Sequence, residues 1–296
     1  FAYRYGAVPF ELQLRVEKVK PRNSGAELID AELTTSLLLL NWQAVYTIED
    51  AGVFQLRVDL PDGFEVRSVQ GKAIGDAQPA AIDAHHRVSD DSPTWLINLS
   101  KKAFGKVGVV IQLSRRLDDP NLLSPTGETS TIHVPLPHVT ESDVEFSRGA
   151  VVVIAPDSLR INPGQLSGLR SVSFAEAYET IPMVRSSNQV RPVLAFAFSK
   201  GATDLSVTAE RRRPLVTVNQ LLQCEIEAGV VKYRARFFYN VKYSGVKLLR
   251  IDVPSGLSSD IRNTTSSLRQ DELTPAPDDV PEDYTAWTIA GENELL

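Results

Sequence analysis

Cysteine is nearly absent: 296 residues hold one cysteine, one methionine and four histidines. A single thiol, Cys224, excludes an internal disulfide and a thiolate zinc cage. Its neighbours, LLQCEIE, are apolar and acidic, so the expectation is a buried, unreactive thiol. Long hydrophobic runs are also missing. Runs such as Leu37 to Leu40 fall far short of the roughly 18 residues a membrane span needs, so no span is expected. Basic clusters are scarce, the best being Arg211-Arg212-Arg213. With a net charge of −6 and a pI near 5.4, this argues against nucleic acid as a partner. The modest net charge and 43% hydrophobic content exclude disorder of the whole chain. There is no G-x-S-x-G, no glycine-rich phosphate loop and no cysteine–histidine constellation with a third member. The sequence accordingly gives no catalytic residue, no cofactor and no reason to expect an enzyme.

Metal chemistry fares no better. His85 and His86 are adjacent, so on a strand they point to opposite faces, and His133 and His138 flank two prolines. None has the i, i+4 spacing of H-E-x-x-H, and loop histidines are the plainer reading. Asp90-Asp91, Asp118-Asp119 and Asp278-Asp279 do not fit D-x-[DN]-x-[DN]-G, so they read as solvated loop acids and no metal ligand is assigned.

What the chain does contain is an internal repeat. Residues 52–63 read GVFQLRVDLPDG and residues 245–256 read GVKLLRIDVPSG, and 245 minus 52 is 193. The same offset pairs Ala2 with Ala195, Leu12 with Leu205, Glu17 with Glu210, Pro21 with Pro214, Leu28 with Leu221 and Tyr46 with Tyr239. Trp95 meets Trp287 at an offset of 192, so one single-residue deletion suffices. Solenoid repeats run about 20 to 50 residues, so this period marks a duplication on the scale of a domain. After Trp95 the first copy continues into KVGVVIQLSRRL, residues 106–117, for which the second copy shows no counterpart. The second copy therefore reads as cut off before its last strand, in a natural protein longer at both ends.

Helical periodicity is almost absent, whereas period-two alternation recurs. Residues 10–20 alternate. Phe54, Leu56, Val58 and Leu60 point one way and Gln55, Arg57 and Asp59 the other; Leu249, Ile251 and Val253 keep that register. A strand buried on one face suits a β-sandwich. The strands carrying Trp95 and Val107–Leu113 are expected to form a hairpin through KKAFGK. Residues 118–130 read as a polar linker, 148–163 as strand, turn and strand, and GQLSGLRSVSFAEAYE as holding at most one short helix. The expected fold class is all-β, with tandem β-sandwich domains: a first copy at 1–117, a linker plus smaller β-rich module at 118–193, and a second copy at 194–296.

The one recurring polar feature is Arg57 with Asp59 and Arg250 with Asp252. Residues two apart on a strand share a face, so each couple can ion-pair there or form a candidate interaction surface. The plainer reading is an exposed ion pair worth little in stability. Trp95 and Trp287 could stack on sugars, but their alternating surroundings favour core packing. The strand pair YTIEDAGVFQLRVDLPDG and the later W-x-I-x-L strand resemble, in texture, long bacterial envelope or secreted proteins built from repeated β-sandwich domains. The resemblance implies an extracytoplasmic location, periplasmic or cell-surface, and a structural or adhesive role. The expected function is a non-catalytic structural or interaction module. Its partners would be neighbouring repeats of the same chain and a protein or glycan. A carbohydrate-binding module and a non-catalytic part of a multidomain enzyme are the alternatives.

Overall fold

The computed structural model describes residues 13, 15, 19–140, 144–181, 191–199, 203–265, 268–272 and 277–295. The strand expected over 10–20, and the repeat pairs involving Ala2 and Leu12, lie largely outside the described residues. Strand accounts for 66% of the structure and helix for 6%, so the fold is all-β.

The strands in chain order are β1 (Arg22–Leu33), β2 (Leu37–Asp59), β3 (Glu65–Gly71), β4 (Gln78–Pro79), β5 (Ile82–Arg87) and β6 (Thr94–Arg116). A one-turn helix α1 (Pro120–Leu123) leads to β7 (Thr129–His133), β8 (His138–Val139), β9 (Phe146–Ala155), β10 (Leu159–Ser167) and β11 (Arg170–Ser171). Helix α2 (Phe174–Glu179) precedes β12 (Arg191–Ser199), β13 (Asp204–Arg211), β14 (Leu215–Glu227) and β15 (Val230–Lys242). The chain continues with β16 (Val246–Pro254), a 3-10 segment Ser255–Asp260, β17 (Leu268–Glu272) and β18 (Tyr284–Leu295).

The largest sheet runs β11-β12-β9-β1-β2-β6-β3, with β4, β5 and β8 on its margins. Its central strands are buried on both faces, and the sequence shows why. Along β9, Val151 and Val153 face one core and Ala150 and Val152 the other, so the strand is an unbroken apolar run. The first of these cores also takes Ile132 from β7, Leu159 from β10, and Leu205, Val207 and Ala209 from β13. Those three strands form a second sheet, β10-β13-β7, packed across that face. The opposite face is covered by Ala177 of α2, with Ile181 and Ile74. Ser173 caps α2 by accepting from the Glu176 N–H, which fixes the short helix expected in this segment.

Two expectations are corrected. The strands around Trp95 and Val107 do not fold back on one another: β6 is one 23-residue strand. Both its halves pair with β2, which is equally long, and the register of the pair shifts between Ile48 and Gln55. Asp50 turns through the left-handed region there, at φ 63, and Gly105 does so opposite it, at φ 78. The two strands therefore bend together, and KKAFGK passes through the bend without making a turn. The same shift reverses Phe54, which is 57% exposed while Leu56, Val58 and Leu60 are buried.

The boundaries expected at 117 and 193 fall inside this hydrogen-bonded structure. Residues of the intervening segment form β9 beside β1, in parallel, and β12 then pairs with β9. β13 lies between β10 and β7. Beyond Arg211 the remaining strands form two separate small sheets, β14-β15 and β16-β18-β17.

Candidate functional site

Around the bend in β2, strand pairs 193 residues apart in the chain can be compared directly. In the first hairpin Arg22 pairs with Glu49, and in the later one Leu215 pairs with Lys242; 215 minus 22 and 242 minus 49 are both 193. At the bend Val53 pairs with Ala103 and Gln55 with Asn98, and in the second copy Val246 pairs with Leu295 and Leu248 with Ala290. The first-strand offset is again 193 and the second 192. Val58 with Trp95 becomes Ile251 with Trp287 by the same rule. Among the described residues the non-glycine positions with positive φ are Asp50 and Tyr243, also 193 apart. Gly52 belongs to the same bend. A Cβ on it would sit 2.6 Å from the Ala103 carbonyl oxygen, which accounts for glycine at the head of the G-V-x-x-L-R motif.

Of the polar couples singled out in the sequence, the second forms a closed ion pair. Arg250 donates from Nε and Nη2 to the two carboxylate oxygens of Asp252, at 2.7 and 2.8 Å, and from Nη1 to Asp279 at 2.7 Å. These hydrogen bonds hold the Arg250 guanidinium above its ordinary range and the Asp279 carboxyl below its own. In the first copy, Asp59 is half-buried and directs Oδ1 elsewhere, accepting from the hydroxyls of Thr94 at 2.6 Å and Thr140 at 2.9 Å. The Arg57 carbonyl accepts from the Tyr46 hydroxyl at 3.0 Å. The two couples thus share position and not partners.

Close to Asp59 lies a group that the sequence reading missed. Glu27 projects from β1 among Gly25, Ile29, Ala31 and Leu33, and is 1% exposed. Its Oε2 accepts from Trp42 Nε1 and from the Val139 backbone N–H, both at 2.9 Å. Burial drives its carboxyl up to about 7, against the pull of those two donors, with the negative Asp59 adding to the rise. The available signal was a single acid among the alternate positions Gly25, Ile29, Ala31 and Leu33 of β1, which are otherwise apolar. Its equivalent 193 residues on is Gln220, and Trp42 becomes Ala235, so the arrangement belongs to one copy only.

The histidines lie on strands and not in the loops expected for them: His85 and His86 on β5, His133 on β7 and His138 on β8. His138 Nε2 shares a hydrogen bond with the Thr203 hydroxyl at 2.7 Å and its ring meets Phe198 edge-on; His133 Nδ1 lies 3.1 Å from Asp204. Among the described residues, no three His, Cys, Asp or Glu side chains converge as a metal set. An open cleft of about 510 Å³ includes Arg115, Asp119 and His133. Asp119 caps α1 there, and Arg115 donates to the His133 carbonyl at 2.6 Å and covers the Phe64 ring. Trp95 and Trp287 are both half-buried, Trp95 packing on the core and beside His85.

Cys224 is corrected outright: it is exposed. It lies on β14 opposite Tyr233 of β15, in a two-stranded sheet, and β14 is exposed along nearly its whole length. Apolar neighbours along one strand do not bury a thiol when no second layer covers that strand. No helix among the described residues is long and apolar enough to cross a membrane.

No family model matches the chain, and no curated protein matches it. Among solved structures, a substrate-bound mutant of the M1 zinc metallopeptidase from Deinococcus radiodurans is similar at 11% identity and a TM-score of 0.32, over 74% of this chain and 47% of that one. A two-domain M1 zinc metallopeptidase mutant bound to L-tryptophan gives 10%, 0.32, 73% and 48%. This chain thus spans about half the length of each. Likeness at that level carries no argument about fold or activity here.

Proposed function

We propose that the chain is a non-catalytic structural or interaction module of a large, repeat-containing periplasmic or cell-surface protein, and that its partners are neighbouring units of its own kind. The observation behind this reading is the coincidence of two strand-pair registers, a bend and a left-handed residue at one fixed offset. Such agreement is what duplication of a whole folded unit produces. The polar groups are consistent with it, because Glu27, Asp59, Asp119 and His138 each tie strands, caps or neighbouring segments together, and Arg250 closes on Asp252 of its own strand and on Asp279.

The repeat also sets where one unit ends. A period of 193 fixes spacing and leaves the starting point free. β12 and β13, which open the second copy by sequence, complete the two sheets of the first. In this reading a unit spans roughly residues 19–211, and consecutive units are joined tightly at Arg212–Pro214.

Val207→Asp in the full chain tests the assignment. Val207 is fully buried on β13, and an unpaired charge there should cost at least about 3 kcal/mol. Emission from Trp42 should report unfolding, while emission from Trp287 stays native, each read in a single-tryptophan background. Loss of the Trp287 signal with Trp42 unchanged would assign β13 to the second copy and defeat the reading.

A further inference from the structure

The hairpin β14-β15 repeats β1-β2 in register but not in surroundings. In the first copy, β2 from Leu37 to Ile48 is bonded on one side by β1 and on the other by the Gly105–Arg116 half of β6. Among the described residues β15 has β14 alone, so its other edge is open. The side chains follow suit. Ile29, Leu33, Leu38 and Leu40 belong to the main core. Moved by 193 they become Leu222, Ile226, Val231 and Tyr233, which are 56%, 79%, 49% and 54% exposed. With Val218 and Cys224 these occupy one face of the ribbon, since paired residues share a face and each strand alternates. The other face carries Gln223 against Arg234 and Glu225 against Lys232. Leu221 and Phe238, 56% and 58% exposed, lie on that second face as well, so both faces of the ribbon show apolar side chains. A ribbon with an open edge and uncovered apolar side chains is a template for strand addition.

We infer that the free edge of β15 receives an antiparallel strand of the chemistry of Gly105–Arg116, placed against β15 as that half of β6 is placed against β2. The inference rests on the proposed duplication for its template. The first copy specifies the occupant: β-branched and leucine side chains at alternate positions (Val107, Val109, Ile111 and Leu113) all enter the main core. It also specifies the register. Tyr46 with Val107 and Trp42 with Ile111 become Tyr239 and Ala235 with the corresponding residues of the added strand.

The test appends the sequence of residues 105–117 directly after Leu296 and measures hydrogen exchange along β15. The outward-facing amides between Val230 and Val241 should slow by at least about tenfold relative to the unextended chain. A control extension, with prolines replacing the residues that correspond to Val109 and Ile111, should give no slowing. The same 13 residues supplied as a peptide to the unextended chain should protect the same amides. The inference is overturned if neither extension nor peptide protects β15, or if the proline control protects it equally. It is equally overturned if the unextended chain forms concentration-dependent dimers with β15 already protected, which would make a second copy the occupant. Each of these outcomes is independent of the Trp42 response to Val207→Asp, so the two readings fail separately.

Discussion

Trp42 donates its indole N–H to the buried Glu27 at 2.9 Å across the paired strands β1 and β2. Glu27 is held at about 7 mainly by burial, whereas an unfolded chain releases that proton near 4.5. Below pH 4.5 both states keep the proton. Between 4.5 and 7 the folded state binds it more tightly, so raising the pH through this window destabilises the fold. At 1.36 kcal/mol per pH unit the loss comes to about 3 kcal/mol. Glu27→Gln should flatten this dependence, as followed by denaturant midpoints at pH 5 and pH 8. An unchanged slope in the variant would mean that Glu27 is ionised in the fold throughout.

Gly149 on β9 faces Phe198 on β12, and a Cβ at 149 would come within 2.1 Å of the ring. Gly149→Ala should cost about 1–3 kcal/mol by overpacking. Phe198→Leu should recover part of it in the double variant. Simple additivity of the two substitutions would mean that β9 and β12 do not touch there.

Arg250→Met removes a solvent-exposed network, so the unfolding midpoint should stay within error of the parent. The Asp279 carboxyl should titrate closer to its ordinary range, because its strongest partner is the guanidinium. Carboxyl resonances followed by NMR across pH 2–6 would show this. An unmoved Asp279 would separate it from Arg250 in solution.

Cys224 should react with a thiol reagent in the native chain within about tenfold of its rate in denaturant, since it is exposed. Protection of several hundredfold would require a covering layer over β14.

The all-β class was legible in the alternation; the bend was not, because KKAFGK read as the turn of a hairpin and the G-V-x-x-L-R stretch as a regular strand. The Arg250–Asp252 ion pair was legible too, because residues two apart on a strand must share a face. Glu27 was not, since its meaning depends on Trp42 and Val139, which reach it from β2 and from a segment 112 residues away. Phe54 was misplaced because alternation presumes an unbroken strand, and the register shift beside it breaks the count. The fate of Cys224 and the assignment of β12 and β13 depend on which sheet a strand joins, and a repeat period carries no information about that.

Residues 191–211 decide the account, and native-state hydrogen exchange followed by fragment mass spectrometry reads them directly. Amides of β12 and β13 should open together with those of β1, β2 and β9, with one free energy and one denaturant dependence. They should do so apart from β16 and β18, which form a different sheet. Common opening of 191–211 with 284–295, apart from β1 and β9, would contradict the account.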